Sequence, residues 1–282
     1  MINFLKKFFA SLRSRGVKNT LLIIKDNFFI EAKYRVTSVK LRLHKLITKG
    51  ELIKNYGEYK FNYYGEGDRA EILYHAFWDK LFFGEKEQIK NYIKQGDTVI
   101  DVGGNLGFFV LILYESVGAK GKIISFEPSK RLYKKLIKTT RNNHLQNVSL
   151  INFGLGESEG NTSLYYNPKQ TGLSSIVKSD EDKFLVEEIQ ITTLDKFSEN
   201  IKKRVSFIKI DTEGYEPQVL KGAIKLIKKD KPVLYIELGG KYWASSIEAL
   251  KVLKELGYKC KAENLDLKSV PEGSNFIAIP ES

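Results

Sequence analysis

Five carboxylates in this 282-residue chain stand where an apolar run stops: Asp101, Glu127, Asp211 with Glu213 close behind it, and Glu237. The runs before them, Thr98 to Ile100, Lys122 to Phe126, Val205 to Ile210 and Pro232 to Ile236, are rich in β-branched and aromatic residues and read as buried strands. In an open α/β sheet, ligands bind outside the carboxyl ends of the strands. A carboxylate there accepts hydrogen bonds from hydroxyls, pairs with a cation or takes up a proton. Lys209 adds to the pattern, because the period of two puts it on one face with Phe207 and Asp211 in an otherwise apolar strand. Asp211 or Glu213 would pair with it and stay ionised. A purely structural buried ion pair meets the same pattern.

The turn after the first of these strands narrows the ligand class. Asp101-Val-Gly-Gly-Asn-Leu-Gly107 is a strand end, a glycine turn and the start of an apolar helix. A dinucleotide fingerprint counted from Gly103 fails, since the later glycine positions hold Asn105 and Phe108. Counted from Asp101, the run resembles the first motif of S-adenosylmethionine (SAM) methyltransferases. The acid suits SAM, which carries a sulfonium and an ammonium, whereas it would repel a pyrophosphate. Gly103, Gly104, Asn105 and Gly107 are the expected backbone cradle. Glu127, about 20 residues after Gly107, is placed to accept from ribose hydroxyls, and Pro128 behind it starts the next helix. Gly154-Leu-Gly-Glu157 follows a third strand, so backbone at Gly154 would frame the adenine and Glu157 would accept from its amine, although the same residues make an ordinary polar turn.

Three segments organise the chain around these tips. Residues 97–282 read as the SAM-dependent methyltransferase domain, a doubly wound α/β sheet, mostly parallel and Rossmann-like. Residues 51–96 are an aromatic-rich cap region, with Tyr59 to Tyr64 alternating as a strand or hairpin and Glu85 to Ile93 helical. Packing explains most such aromatic clusters, and His75 within it reads as structural. Asn167 to Asp182 is polar, with Gly and Ser, and reads as a mobile loop over the site between strands at 162–166 and 187–193. A helix at 246–256 and strands near 258–262 and 275–279 close the sheet as a hairpin.

Charge separates the third segment from the other two. The net charge is +12, yet residues 1–50 alone hold 12 Lys/Arg against Asp26 and Glu31, leaving 34 basic and 32 acidic residues in the remainder. A near-neutral body with a basic arm is not a nucleic-acid clamp, so nucleic acid is not an expected partner. Ile2, Leu5, Phe8, Phe9 and Leu12 lie at helical spacing with basic residues between or after them, which fits peripheral contact with an anionic membrane face or a homo-oligomer contact through residues 1–50. No apolar run approaches the ~20 residues of a membrane-spanning helix, and the single Cys260 implies no disulfide framework. The expected location is cytoplasmic, with the inner membrane face as the place of any peripheral contact.

Taken together, Asp101 to Gly107, Phe126-Glu127-Pro128, Leu155-Gly-Glu157, Thr193-Leu-Asp195, Lys209-Ile-Asp-Thr-Glu-Gly-Tyr-Glu216, Leu220-Lys-Gly222 and the strand Pro232 to Glu237 resemble the FkbM family of methyltransferases. The likeness runs from about Gly84 to Leu238 and departs only where Gly104 replaces a common alanine and Thr212 a common valine. The resemblance implies a seven-stranded sheet of the methyltransferase type and SAM-dependent O-methylation of a hydroxyl on a sugar, glycan (including a lipid-linked one) or polyketide-like acceptor. Asp211 or Glu213 is the expected general base, Glu237 a lesser candidate, and Asp211 also lies near the donor. No metal is expected, the alternative being a divalent ion on Asp211, Glu213 and Glu237. A nucleic-acid methyltransferase is the rival reading, weakened by the lack of adjoining prolines, and a non-catalytic SAM-binding scaffold is the other.

Overall fold

In a computed structural model, residues 29–44, 52–64, 69–167, 170–176, 184–271 and 273–281 are described. The amphipathic pattern at residues 1–15 lies outside them. The N-terminal described element is a helix, α1 (29–44). It is followed by an antiparallel hairpin of β1 (Leu52–Tyr56) and β2 (Tyr59–Tyr63), then by α2 (Arg69–Ile89). No helix among the described residues is long and apolar enough to cross a membrane.

The main body alternates strand and helix: β3 (Thr98–Val102), α3 (Phe108–Val117), β4 (Lys122–Phe126), α4 (Lys130–Asn142) and β5 (Val148–Ile151). A second small sheet then branches off through β6 (Gly154–Leu155), β7 (Gly160–Asn167), β8 (Gln170–Ser175) and β9 (Leu185–Thr192). The chain returns through α5 (Leu194–Ser198), β10 (Val205–Ile210), α6 (Glu216–Lys221), α7 (Ile224–Asp230) and β11 (Val233–Glu237). It ends with α8 (Trp243–Glu255), β12 (Tyr258–Cys260) and β13 (Asn275–Pro280). The main sheet has seven strands in the order β12-β13-β11-β10-β3-β4-β5, with β13 antiparallel to both neighbours and the inner strands parallel.

Burial explains the strand choice. Every residue of β3 is buried, as a parallel strand covered by helices on both faces requires. The sheet separates two apolar clusters. One holds Ile100, Ile208 and Leu234 with α6, α7 and α8, and the other holds Val99, Phe207 and Tyr235 with α2 and α3. On the second face the register sets Tyr235, Lys209, Asp101 and Ser125 side by side across four parallel strands. One polar row thus runs through an apolar interior, just below the carboxyl edge of the sheet.

Two expectations need correction. The segment 167–182 is not simply a loop, because Gln170 to Ser175 forms β8, and Ser175 Oγ donates to the carbonyl of Glu213 at 2.6 Å. Serine and threonine tolerate strand geometry when a neighbouring strand offers a ladder, and β7 supplies it. The helix expected from Glu85 begins sixteen residues earlier, at Arg69, with a break at Phe77 (φ −126°, ψ 26°) that divides its apolar pattern. The aromatic packing is as anticipated: Trp78 stacks on Tyr56 at 4.3 Å, and Phe108 meets Trp78 edge-on at 5.1 Å. His75 is structural, held by Tyr56 Oη and the Asn62 carbonyl, and burial pulls it down to about 4 so that it stays neutral.

Candidate active site

The strand order reverses between β3 and β10: the chain moves from β3 outward to β4 and β5, then returns to β10 on the other side. That reversal opens a crevice at the carboxyl edge, where open α/β sheets bind their ligands. A cavity of about 290 Å³ occupies it. Gly103, Gly104, Asn105, Glu127, Pro128 and Gly154 line it from the β3–β4–β5 side, and Asp211, Glu213 and Glu237 from the other.

Three expected residues are not in its wall. Asp101 is fully buried beneath it, with Oδ2 accepting from Ser125 Oγ at 2.7 Å and Oδ1 3.8 Å from Lys209 Nζ. Gly107 caps α3 and packs against Leu136 and Thr139. Glu157 stands outside the cavity, its exposed carboxylate 3.9 Å from Lys221 on the surface. The polar-turn reading of that segment describes it better. The glycines of the turn answer first to protein atoms. A Cβ on Gly103, at φ +92°, would stand 2.1 Å from the Asp211 carbonyl oxygen, and one on Gly104 would stand 2.4 Å from Ser125 Oγ.

On the β4 side, Glu127 is held by two backbone donors: Oε2 accepts from Asn105 N at 2.8 Å and Oε1 from Ser129 N at 2.9 Å. Burial nevertheless pushes its carboxyl up to about 7. Asn105 keeps a buried Oδ1 with no hydrogen-bond partner, and Phe153 adds a part-exposed aromatic ring to the wall. An orphaned acceptor, an acid at a strand end and an apolar ring together fit a nucleoside with ribose hydroxyls and a flat base.

Across the crevice, Lys209 is 4% exposed, and its ammonium sits 3.0 Å from Asp211 Oδ2 and 5.2 Å from the centre of the Phe109 ring. Burial alone would lower its pKa, but the charges of Asp211 and Asp101 prevail and hold it above the usual lysine range. Burial raises Asp211, and Lys209 together with a hydrogen bond from Glu237 more than reverses this, so Asp211 stays below the ordinary carboxylate range. Glu237 is pushed well up by burial and by the charges of Asp211 and Glu213, while its Oε1 accepts from Gly273 N at 2.9 Å. Carboxylate oxygens of Asp211, Glu213 and Glu237 all lie within 4.8 Å of one another. The two adjacent acids are shifted in opposite directions, Asp211 toward the ionised form and Glu237 toward the protonated one.

Several contributors escaped sequence reasoning. Glu216 Oε1 accepts from Thr212 N, Thr212 Oγ1 and Gly214 N, at 2.9 to 3.1 Å, and so fixes the turn that aims Asp211 and Glu213. Its place in Lys209 to Glu216 was visible; its inward direction was not. From α2, Tyr74, Leu81 and Glu85 enter the wall, and Asn275 enters from the start of β13. Nothing in a local window links those positions to Asp211.

A doubly wound sheet with this order, a switch-point crevice and acids at its strand tips define the class of SAM-dependent methyltransferases. The model of the Methyltransferase FkbM domain matches residues 101–260, more than half of the chain, and the chain belongs to that family. Methyltransferase sdnD of Sordaria araneosa is 27% identical over 154 residues, covering 44% of this chain and 59% of that protein. Methyltransferase 1 of Beauveria bassiana is 24% identical over 143 residues, covering 44% and 57%. The chain thus spans under three fifths of the length of these curated relatives. Among solved structures, the methyltransferase FkbM of Methylobacillus flagellatus KT aligns with TM-score 0.46 and 17% identity, over 75% of this chain and 53% of that one. The cofactor is S-adenosylmethionine, as the family implies.

Proposed function

We propose that this protein transfers a methyl group to a hydroxyl of a sugar or polyketide-like acceptor, with Asp211 as the proton acceptor. The observation that carries this reading is Asp211, 3.0 Å from Lys209 and grouped with Glu213 and Glu237 at the edge of a crevice that fits a nucleoside. The β3–β4–β5 side would hold SAM: Glu127 accepts from the ribose, Asn105 Oδ1 takes a donor, and Phe153 and Pro128 cover the base. When bound, SAM supplies a methyl carbon made electrophilic by its sulfonium.

The chain's own residues do the rest. Asp211 accepts the acceptor's hydroxyl proton, and Lys209 keeps Asp211 ready for it by holding the carboxylate charged. Glu237 and Glu213 receive further hydroxyls and orient the nucleophile, the alignment from which most of the rate in such displacements comes. Glu216 holds the geometry of the turn. Methyl transfer from labelled SAM to a panel of glycosides and hydroxylated polyketides tests the reading. Product from at least one acceptor is expected, and it should persist after dialysis against EDTA. Activity lost on chelation and restored by Mg²⁺ would reassign the three acids to a metal.

The ribose contact has a pH signature. Below about 7 Glu127 carries a proton, and above it the carboxylate is free to accept from two hydroxyls. Affinity for S-adenosylhomocysteine should therefore tighten as pH rises from 6 to 8, by roughly tenfold as the ionised fraction grows. Calorimetry at three pH values would show this, and Glu127→Gln should bind weakly with a flat profile. A flat profile in the unaltered protein would remove Glu127 from the ribose.

A further inference from the structure

Once the nucleoside side is assigned, the remaining half of the crevice has a wall of its own. Tyr74, Leu81 and Glu85 line it from α2: Leu81 and Glu85 are four residues apart beyond the break at Phe77, the interval that returns a helix to the same side, and Tyr74 joins them from before the break. Glu85 accepts from Tyr235 Oη at 2.6 Å, so that β11 fixes it in place. Facing it are Asp211, Glu213 and Glu237. Among the described lining residues Lys209 is the one cation, and its ammonium is already shared between Asp211 and Asp101.

We propose that this half is the acceptor subsite and that it selects a hydroxylated ring without negative charge, a neutral or amino sugar unit, with Glu85 setting the charge selectivity. This deepens the methyltransferase reading above and rests on it. Tyr74 and Leu81 offer apolar surface to the C–H face of such a ring, while four carboxyl groups offer acceptors to its hydroxyls. A uronate or phosphate would instead bring a further negative charge beside Glu85 and Asp211, with no free cation among the described lining residues to meet it. Crowding of charge is already registered at Glu237, which burial and then the charges of Asp211 and Glu213 push well up.

Three probes on one scaffold test this: methyl glucoside, methyl glucosaminide and methyl glucuronoside, titrated into the full chain saturated with S-adenosylhomocysteine. The glucuronoside is expected to bind at least tenfold more weakly than the other two. Glu85→Gln should narrow that gap to under threefold while leaving S-adenosylhomocysteine affinity unchanged. Tyr235→Phe, which keeps the ring and removes only the donor to Glu85, should narrow it in the same direction. A glucuronoside that binds as tightly as the glucoside, or a gap unmoved in both variants, overturns the proposal. If none of the three binds while S-adenosylhomocysteine does, the sugar-ring subsite is wrong and the donor site stands. If S-adenosylhomocysteine itself fails to bind, the underlying methyltransferase reading falls first.

Discussion

Asp211→Asn is expected to lower single-turnover methyl transfer by 10² to 10⁴-fold, the range that general-base removal typically costs, or about 3–5 kcal/mol on the barrier. The amide keeps the volume, and its carbonyl oxygen can still accept from Lys209 Nζ, now 3.0 Å from the carboxylate, so the fold has little reason to change. What it loses is the capacity to take a proton. S-adenosylhomocysteine affinity should move by less than about fivefold, because only a charge-assisted contact is weakened. Glu213→Gln and Glu237→Gln should cost less, on the order of tenfold, since an amide still accepts from a hydroxyl and can orient it. Saturating both substrates and following a single turnover separates chemistry from release. More than a tenth of the original rate in Asp211→Asn would move the base elsewhere, with Glu237 the first place to look.

The ranking within this carboxylate group shows what one dimension of information can and cannot carry. That Lys209 needs a counter-charge followed from its place in an apolar strand, and the structure supplies Asp211 at 3.0 Å. That Asp101 is the second partner did not follow, because Asp101 lies on β3 and meets Lys209 only through the parallel register of β3 and β10. Asp101, expected to face the donor's charged end, lies beneath the crevice rather than in its wall, with Lys209 and Ser125 as its neighbours across the sheet. The strands were readable from periodicity and punctuation around Asp101, Glu127 and Asp211, each at a strand tip, while the seven-stranded sheet rested on the family resemblance. The α2 wall was not, since an amphipathic pattern broken at Phe77 shows that a helix buries one side without saying against what.

Other parts of the family signature prove to be architectural. Asp195 of Thr193-Leu-Asp195 accepts from the backbone N–H groups of Lys225 and Leu226, capping α7, while its own N–H donates to the Gly222 carbonyl at 2.8 Å. Two motif fragments some 25 residues apart are thus one joint, which seats α6 and α7 under the β10 turn. Asp195 and Glu216 end on backbone N–H groups and hold turns, whereas Glu127 and Glu237 accept from backbone N–H groups and line the cavity as well.

Lys209→Met is the sharpest test of the polar row. Methionine matches the length of the lysine stem and suits the apolar strand, but it strips the counter-charge from Asp101, which is 0% exposed, and from Asp211. Removing one partner of a buried pair typically costs 3–5 kcal/mol, far more than an intact pair contributes, because a charge is left without compensation. The denaturant midpoint should fall accordingly at pH 7. Asp101 escapes the penalty by taking a proton; burial already holds its carboxyl above the usual range, and losing Lys209 raises it further. A group raised in the folded state stabilises below its unfolded pKa and loses that contribution as pH climbs through the folded value, so the deficit should shrink as pH falls from 7 toward 5. Adding Asp101→Asn to Lys209→Met removes the stranded charge and should return about 2 kcal/mol of stability, a coupling that two independent sites would not show. The acid limb of the pH–rate profile should also move upward in Lys209→Met, since Asp211 no longer ionises as readily. An unchanged midpoint, or a deficit that does not depend on pH, would mean that the ammonium is not what keeps these two acids apart.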